Sequence, residues 1–445
     1  MNRKTTLAAL ALAAGALIAA PSMATDGYFQ HGYGLKAKGM GGAATAMTDD
    51  AFGGANNPAT MVFVGDRLDI GVDFFSPRRS AERSGSSPLL GPIDGSADSD
   101  SNLFAIPEFG YNKLLKPDLS LGVSVYGNGG MNTDYPGGQI PSASACAGFN
   151  TNPGPYNLLC GNGRLGVDLT QLVIAPTLSY KLTENQSIGV APLLGVQRFA
   201  LEGAQAFGGF SNSPSNLTNQ GYDTSYGYGA RVGWYGRVSD ALSLGAAYST
   251  KVYMTKFDKY KGLFADQGDF DMPENYNAGL AYRITQKVTI AADYQRINYS
   301  GVKAVGNPSS LLLSCAGGNS AACLGGSDGA GFGWSDVNVW KLGVEYQYSE
   351  RLTLRGGYNH TDNPIQAKDV TINILAPGVV QDHATLGMTY VTRGGGEWTL
   401  AYMHAFQNSV TGPSFFNNFT GGTPAGNETI KMDQNAIGIA YGMKL

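Results

Sequence analysis

Apolar and polar residues alternate along most of this chain beyond residue 66. The alternation comes in a repeated unit, a short polar turn followed by an alternating run. Lys116-Pro117-Asp118 precedes LSLGVSVY, Glu184-Asn185-Gln186 precedes SIGVAPLL, and Ser239-Asp240 precedes ALSLGAAY. Thr285-Gln286-Lys287 precedes VTIAADY, Ser349-Glu350-Arg351 precedes LTLRGGY, and Gly394-Gly395-Gly396 precedes EWTLAYM. A period of two over seven or more residues marks a strand with two unlike faces. Each run ends in a longer polar loop, after which another alternating run returns. The pattern predicts about fourteen antiparallel strands, near 67–76, 102–113, 119–128, 168–182, 187–202, 223–236, 242–255, 274–284, 288–299, 336–348, 352–360, 383–392, 397–406 and 432–445.

The number is even, and short turns alternate with long loops. A bacterial outer-membrane β-barrel requires this, with short turns on the periplasmic side and long loops outside. A soluble β-sandwich has no reason to sort its loops by length. The faces sort as well. Ile437, Ile439, Tyr441, Met443 and Leu445 share one face of the last run, and Gly438, Ala440 and Gly442 the other. Trp340, Leu342, Val344 and Tyr346 are expected to face lipid, with Lys341 and Glu345 facing in. Asp293, Arg355 and Arg283 are expected inside too, on neighbouring strands. Two readings of these five residues stay open: a salt-bridge network that fills the lumen and holds a plug, or a cation that receives an anionic head group. Breakers add to the picture. Pro107, Pro176 and Pro192 each remove a ladder donor. The run Tyr126-Gly127-Asn128-Gly129-Gly130 cannot hold a regular ladder and invites a bulge, here an opening in the wall.

Composition agrees with this class. Only 14% of residues are charged, against about a quarter in soluble domains. There are 63 Gly, 24 Tyr and 19 Phe. Yet mean hydropathy is −0.13, which argues against a bundle of membrane helices. The net charge of −4 comes without a basic run, so no nucleic-acid partner is expected. Asn2-Arg3-Lys4, the apolar run Leu7 to Ala20 and Ser22-Met23-Ala24 read as a secretory signal cleaved after Ala24. No later stretch approaches the ~20 apolar residues of a membrane helix. Cys146 with Cys160, and Cys315 with Cys323, form two local pairs in Gly/Ser/Asn-rich loops. In an exported chain they are expected to be loop-stapling disulfides rather than metal ligands.

No catalytic, metal or cofactor site is predicted. His31, His360, His383 and His404 are scattered, and neither a nucleophile elbow nor a zinc-protease motif occurs. Gly39-Met40-Gly41-Gly42-Ala43-Ala44 loosely fits a dinucleotide fingerprint but follows no strand, so it is rejected. The stretch from Gly27 to Met61, GYFQHGYGLKAKGMGGAATAMTDDAFGGANNPATM, has no clear alternation. It is read as a plug inside the barrel. The expected division is therefore 1–24 signal peptide, 25–65 hatch and 66–445 barrel. Tyr28 and Phe29 either pack inside the barrel or vacate a ligand site on binding.

Gly39-Met40-Gly41-Gly42-Ala43, Asp49-Asp50-Ala51 and Asn57-Pro58-Ala59 resemble the N-terminal hatch of the FadL-type outer-membrane transporters. These carry long-chain fatty acids and other hydrophobic compounds, and the aromatic-hydrocarbon uptake proteins belong with them. GDFDMPENYNAGLAYRITQKVTIAADYQRINYSGV and LTLRGGYNHTDNPI, followed by Ala376-Pro377 and Asp382-His383, resemble the same family. The resemblance implies a fourteen-stranded monomeric barrel with a hatch, in contact with outer-membrane lipid and lipopolysaccharide. It implies capture of a hydrophobic small molecule at extracellular loops, passage to an interior apolar site, and a shift of the hatch N-terminus. Exit is then sideways, through a gap at a kink in the third strand. Gly127 to Gly130 match that kink, and Asn57-Pro58-Ala59 match a hatch motif close to it. Each methylene buried is worth roughly 0.8 kcal/mol, so a hydrophobic molecule gains more from an apolar groove or lipid than from a water-filled pore.

The chain departs from the outer-membrane pattern by ending Met443-Lys444-Leu445 rather than on an aromatic. Whether the ligand is a fatty acid, an aromatic hydrocarbon or an alkane stays open. Two other functions compete: an adhesive barrel whose stapled loops bind partners, and an outer-membrane lipase with a Ser/His pair on its wall.

Overall fold

Residues 25–445 are described by a computed structural model, and the expected signal, 1–24, lies outside the described residues. Fourteen strands close a single antiparallel barrel. In chain order they are β1 Arg67–Ser86, β2 Phe104–Lys116, β3 Leu119–Tyr135, β4 Leu165–Lys181, β5 Gln186–Glu202, β6 Asp223–Arg237 and β7 Leu242–Ser249. Then follow β8 Asn275–Thr285, β9 Val288–Ile297, β10 Val337–Gln347, β11 Leu352–Thr361, β12 Asp382–Val391, β13 Glu397–Pro413 and β14 Ala425–Lys444. The last strand closes on the first, from Arg67↔Lys444 up to Ser86↔Ala425. Two short strands, Gly95–Asp98 and Tyr253–Met254, attach to β1 and β6 outside the ring.

Four strands run beyond their expected ends. β1 reaches Ser86 rather than 76, β3 reaches Tyr135, β13 reaches Pro413, and β14 starts at Ala425. The predicted strand 242–255 stops at Ser249, and Tyr253–Met254 pairs separately with β6. The reason is common to the four long strands. Their added residues stand above the membrane, where the outer face meets water and the inner face mixes apolar core residues such as Ala81, Met131 and Ile430 with buried Arg79 and Arg83, so the contrast that reveals a strand fades. In β1, Arg79 and Arg83 are buried inward while Arg78 and Glu82 point out.

Within the membrane the two faces separate as alternation requires. Outward positions carry Ile70, Phe74, Leu121, Leu178, Val190, Leu342, Leu400 and Ile439, all exposed. Aromatics ring both edges. Tyr180, Tyr282, Tyr346, Tyr390, Trp398 and Tyr441 lie toward the short turns, and Tyr228, Tyr276, Trp340, Tyr358 and Tyr402 toward the long loops. Such girdles belong at the two water interfaces of a transmembrane barrel. The long loops fold back over the mouth, and their apolar residues merge with the upper lumen into one large core. Both disulfides, Cys146–Cys160 and Cys315–Cys323, are formed in these loops, and all four cysteines are buried.

Residues 25–66 run inside the lumen with only short helical turns, among them Leu35–Lys38, Pro58–Thr60 and Met61–Val64. A barrel of this size leaves a cavity that side chains alone do not fill. Here the chain's own N-terminal segment fills it, and the wall is thinned to admit it. A Cβ on Gly110 would meet Ala51, on Gly189 Pro58, on Gly233 Asn57 and on Gly245 Thr45. On the opposite side, one on Gly343 would meet Met40, on Gly357 Gly41, on Gly387 Gly39 and on Gly438 Leu35. These eight of the chain's 63 glycines thus stand where hatch and wall approach closely.

Candidate functional site

Polar side chains pointing inward from the strands hold the hatch. Asp293 on β9 accepts hydrogen bonds from Ala44 N, Thr45 N and Thr45 Oγ1 at 2.8, 2.9 and 2.7 Å. Lys38 of the hatch lies 2.8 Å from Asp73 on β1 and 3.8 Å from Glu108 on β2. Lys36 Nζ and Arg67 Nη2 each approach Glu397 Oε2 at 2.7 Å, and Arg67 also pairs with Asp69 at 2.8 Å. Arg231 on β6 donates to the carbonyls of Gly54 and Ala55. In a water-poor lumen such charges persist only when paired and hydrogen-bonded.

The five residues expected as one interior charge cluster divide into three groups. Asp293 stands opposite Lys341 in the ladder, and Lys341 Nζ reaches Gln295 Oε1 at 2.8 Å and Asp26 at 3.9 Å. Glu345 and Arg355, also ladder partners, pair at 2.6 Å lower in the lumen. Arg283 faces in but stands apart and exposed, at an open mouth of about 800 Å³ on the short-turn side. That mouth is also lined by Asp49, Arg237, Lys287 and Glu345. The residues that tie hatch to wall, Lys36 and Lys38 of the hatch with Asp73, Glu108 and Arg231 of the strands, are not identified from the sequence. Their signal was available in part, because Asp73 and Glu108 fall at inward positions of predicted strands.

The glycine run of β3 forms a bulge. Gly127 stands opposite Leu172 and Gly129 opposite Gln171, leaving Asn128 as the extra residue. Above Phe109↔Val125 the ladder between β2 and β3 stops. From there β2 continues on β1 and β3 continues on β4. The wall therefore has a seam between Phe104–Glu108 and Tyr126–Tyr135. The hatch stands behind it. Phe29 bridges to Gly129, Gly130 N donates to Tyr28 O at 3.1 Å, and Gln30 Nε2 donates to Gly127 O at 2.6 Å.

Tyr28 and Phe29 are buried in the upper core. Their rings gather around Tyr299, at 5.1 and 6.0 Å between centroids, with Trp334 5.9 Å and Phe270 6.4 Å from Tyr28. The Tyr299 hydroxyl accepts from Tyr28 N at 3.1 Å and donates to Asp26 O at 2.5 Å. Asn57-Pro58-Ala59 sits elsewhere than the resemblance implied. It lies against β4, β5 and β6 rather than at the β3 bulge. Asn57 Nδ2 donates to Thr45 O and Trp234 O, both at 2.9 Å, and Ala59 O accepts from Ser179 and Ser187.

Among the loops lies an apolar cavity of about 50 Å³ bordered by Phe199, Leu201, Phe264, Leu312, Phe332 and Leu375. Its lining carries no charged side chain. Ligand sites typically span ~300–1,000 Å³, so this cavity is smaller than a ligand site and would have to widen to hold one. Beside it, the loop from 250 to 274 is anchored by Asp271, whose carboxylate accepts from Met254 N at 2.8 Å. Burial raises the Asp271 pKa to about 6 against the opposing effect of that N–H, and the nearby Asp269 charge adds to the rise.

A family model described as outer membrane protein transport protein (OMPP1/FadL/TodX) matches residues 6–444. The crystal structure of the toluene transporter TodX of Pseudomonas putida superposes with a TM-score of 0.67 at 19% identity, over 93% of this chain and 99% of that one. The Ralstonia pickettii toluene transporter TbuX gives 0.62 at 16%, over 93% and 99%. A Pseudomonas aeruginosa FadL homologue gives 0.65 at 13%, over 94% and 99%. Comparison with curated protein sequences gives no match.

Proposed function

Since this chain belongs to the OMPP1/FadL/TodX family of outer-membrane transport proteins, we propose that it passively carries uncharged hydrophobic compounds across the outer membrane as a monomer. The observation that carries the substrate class is the loop cavity, apolar throughout and free of charged lining. A fatty-acid carboxylate needs a cation with capacity to spare. The interior cations Lys36, Lys38, Arg67, Arg83, Lys341 and Arg355 are each in ion pairs with carboxylates, while Arg79 and Arg231 donate to backbone carbonyls. That supports the reading of the interior charges as the device that holds the hatch.

The route runs from the loops into the apolar cavity, past Tyr28 and Phe29, and out sideways where β2 and β3 part at the Asn128 bulge. Release of Tyr28–Gln30 from Gly127–Gly130 opens that seam. The solute then enters lipid below the lipopolysaccharide layer, so its own partition gradient drives the flux. Mass spectrometry of material co-purified in mild detergent, with naphthalene uptake measured beside it, tests the reading. A co-purified neutral hydrocarbon and uptake above protein-free membranes are expected. A co-purified fatty acid overturns the substrate class, and no uptake overturns transport.

A further inference from the structure

The ladder between β4 and β5 is interrupted at mid-height. Pairing runs from Gly166↔Glu202 to Ile174↔Leu194 and resumes at Leu178↔Val190 without a change of register. The unpaired rung between them places Pro176 opposite Pro192. Neither residue has an N–H to give, so two prolines on one rung concentrate the loss in one place. The flanking seams are continuous, through Val123↔Pro176 on one side and Pro192↔Ala230 on the other. The break leaves three residues unpaired on each strand, with ~13 Å of strand between the paired residues Ile174 and Leu178. An open rung facing hydrocarbon is costly, because lipid offers no hydrogen bond in exchange.

The inner side of this break is mostly apolar and connected upward. Its polar members are Thr177 on β4 and Arg231, the ladder partner of Ala191. Arg231 is held on the Gly54 and Ala55 carbonyls. Ala175, Ala191 and Leu193 face in and are buried in one cluster with Tyr126 of the β3 bulge and Met254 and Met272 of the loop above. Methionines adapt their shape to what passes. The hatch covers the break from within. A Cβ on Gly54 would strike Thr177 Oγ1 and crowd Ala175 O. Just below, the Ala59 carbonyl accepts from Ser179 Oγ on β4 at 2.9 Å and Ser187 Oγ on β5 at 2.6 Å. One hatch carbonyl thus clasps both edges of the seam.

We infer that the β4–β5 break is a second lateral portal for uncharged hydrophobic solutes, latched by the hatch turn Gly54–Ala59. The portal role rests on the transport reading above, while the openness of the seam does not. The experiment uses the full-length mature protein in proteoliposomes. Leu193→Cys, or Ala191→Cys if that variant misfolds, is exposed to a maleimide carried on an acyl chain and dissolved in the bilayer. The native cysteines are all disulfide-bonded, so the introduced thiol is the reporter. Labelling from the lipid is expected, with loss of labelling when Pro176→Val and Pro192→Val restore the two donors. In parallel, naphthalene flux is expected to persist in part when Asn128 is deleted, and to fall to that of protein-free vesicles when both prolines are also replaced. No labelling with normal flux, or complete loss of flux on deleting Asn128 alone, overturns the portal. Labelling without any naphthalene flux through the unsubstituted protein overturns transport and the portal role with it.

Discussion

Phe29, in the hatch, is bridged antiparallel to Gly129 in the barrel wall. The plug is in this sense a small extra strand, laid along the stretch of β3 that has lost its partner β2. A Cβ on Gly129 would strike the Tyr28 carbonyl. The substitution Gly129→Val is therefore expected to lift Tyr28–Gln30 off the wall. Amide hydrogen exchange at residues 28–30 should accelerate, while heat-modifiability of the barrel on a gel stays as in the parent. Continued protection at 28–30 would contradict the pairing.

Deleting residues 25–61 removes the plug together with its cationic side chains. An ion-conducting pore is expected in planar bilayers, because the remaining lumen is lined by charged and hydroxyl side chains. Unchanged conductance would count heavily against a hatch that seals.

Lys38→Met leaves Asp73 and Glu108 buried side by side without their shared cation. Breaking a buried pair in this way typically costs about 3–5 kcal/mol. The loss should fall on hatch docking rather than on the strands. Conductance is expected to rise in bursts, and urea should release the hatch earlier than in the parent. A parent-like urea profile would show that Lys38 does not hold the plug.

Deleting Asn128 removes the extra residue of the β3 bulge and lets the ladder run on in register. Naphthalene uptake by producing cells is expected to fall while the amount of folded protein is maintained. Unaltered uptake would separate the bulge from the route.

Asp271 supplies a pH dependence. Its folded pKa, near 6, is raised above the ordinary carboxylate value by burial. The stabilising contribution of the protonated form is complete below the unfolded pKa of 3.8 and is lost as pH rises through about 6. Docking of the loop 250–274 should thus tighten as pH falls from about 7 to 4. Asp271→Asn should flatten the profile, read as amide exchange at Met254. A profile that persists in the variant assigns it to another group.

The membrane part of the barrel was legible because lipid and lumen impose opposite demands on alternate residues. The strand expected at 352–360 is found at Leu352–Thr361, and that expected at 223–236 at Asp223–Arg237. The extensions of β1 and β14 were not legible, since charged residues such as Arg78 and Arg79 sit on both faces there. Inward direction could be read for Lys341, Glu345, Arg355 and Asp293, but partnership could not. Their partners include Asp26 and Thr45, on a segment without periodicity whose path depends on shape. The same limit applies to Asn57-Pro58-Ala59. A motif can be recognised in a string, but which strands it touches is decided by how the plug coils. The proline rung shows an intermediate case. Both prolines were visible as breakers, yet only strand register reveals that they face one another.

The glycines where wall meets plug, Gly343 under Met40, Gly357 under Gly41 and Gly438 under Leu35, have a consequence for exchange between relatives. Loops that do not touch the plug should be portable between barrels of similar girth, whereas those that bring Phe270, Tyr299 and Trp334 onto Tyr28 should not. The hatch should not be. A chimera with a foreign plug would need a wall whose gaps in side-chain bulk follow the new plug's relief, strand by strand. Plug and wall form a mould and its cast, and they have to be transplanted together.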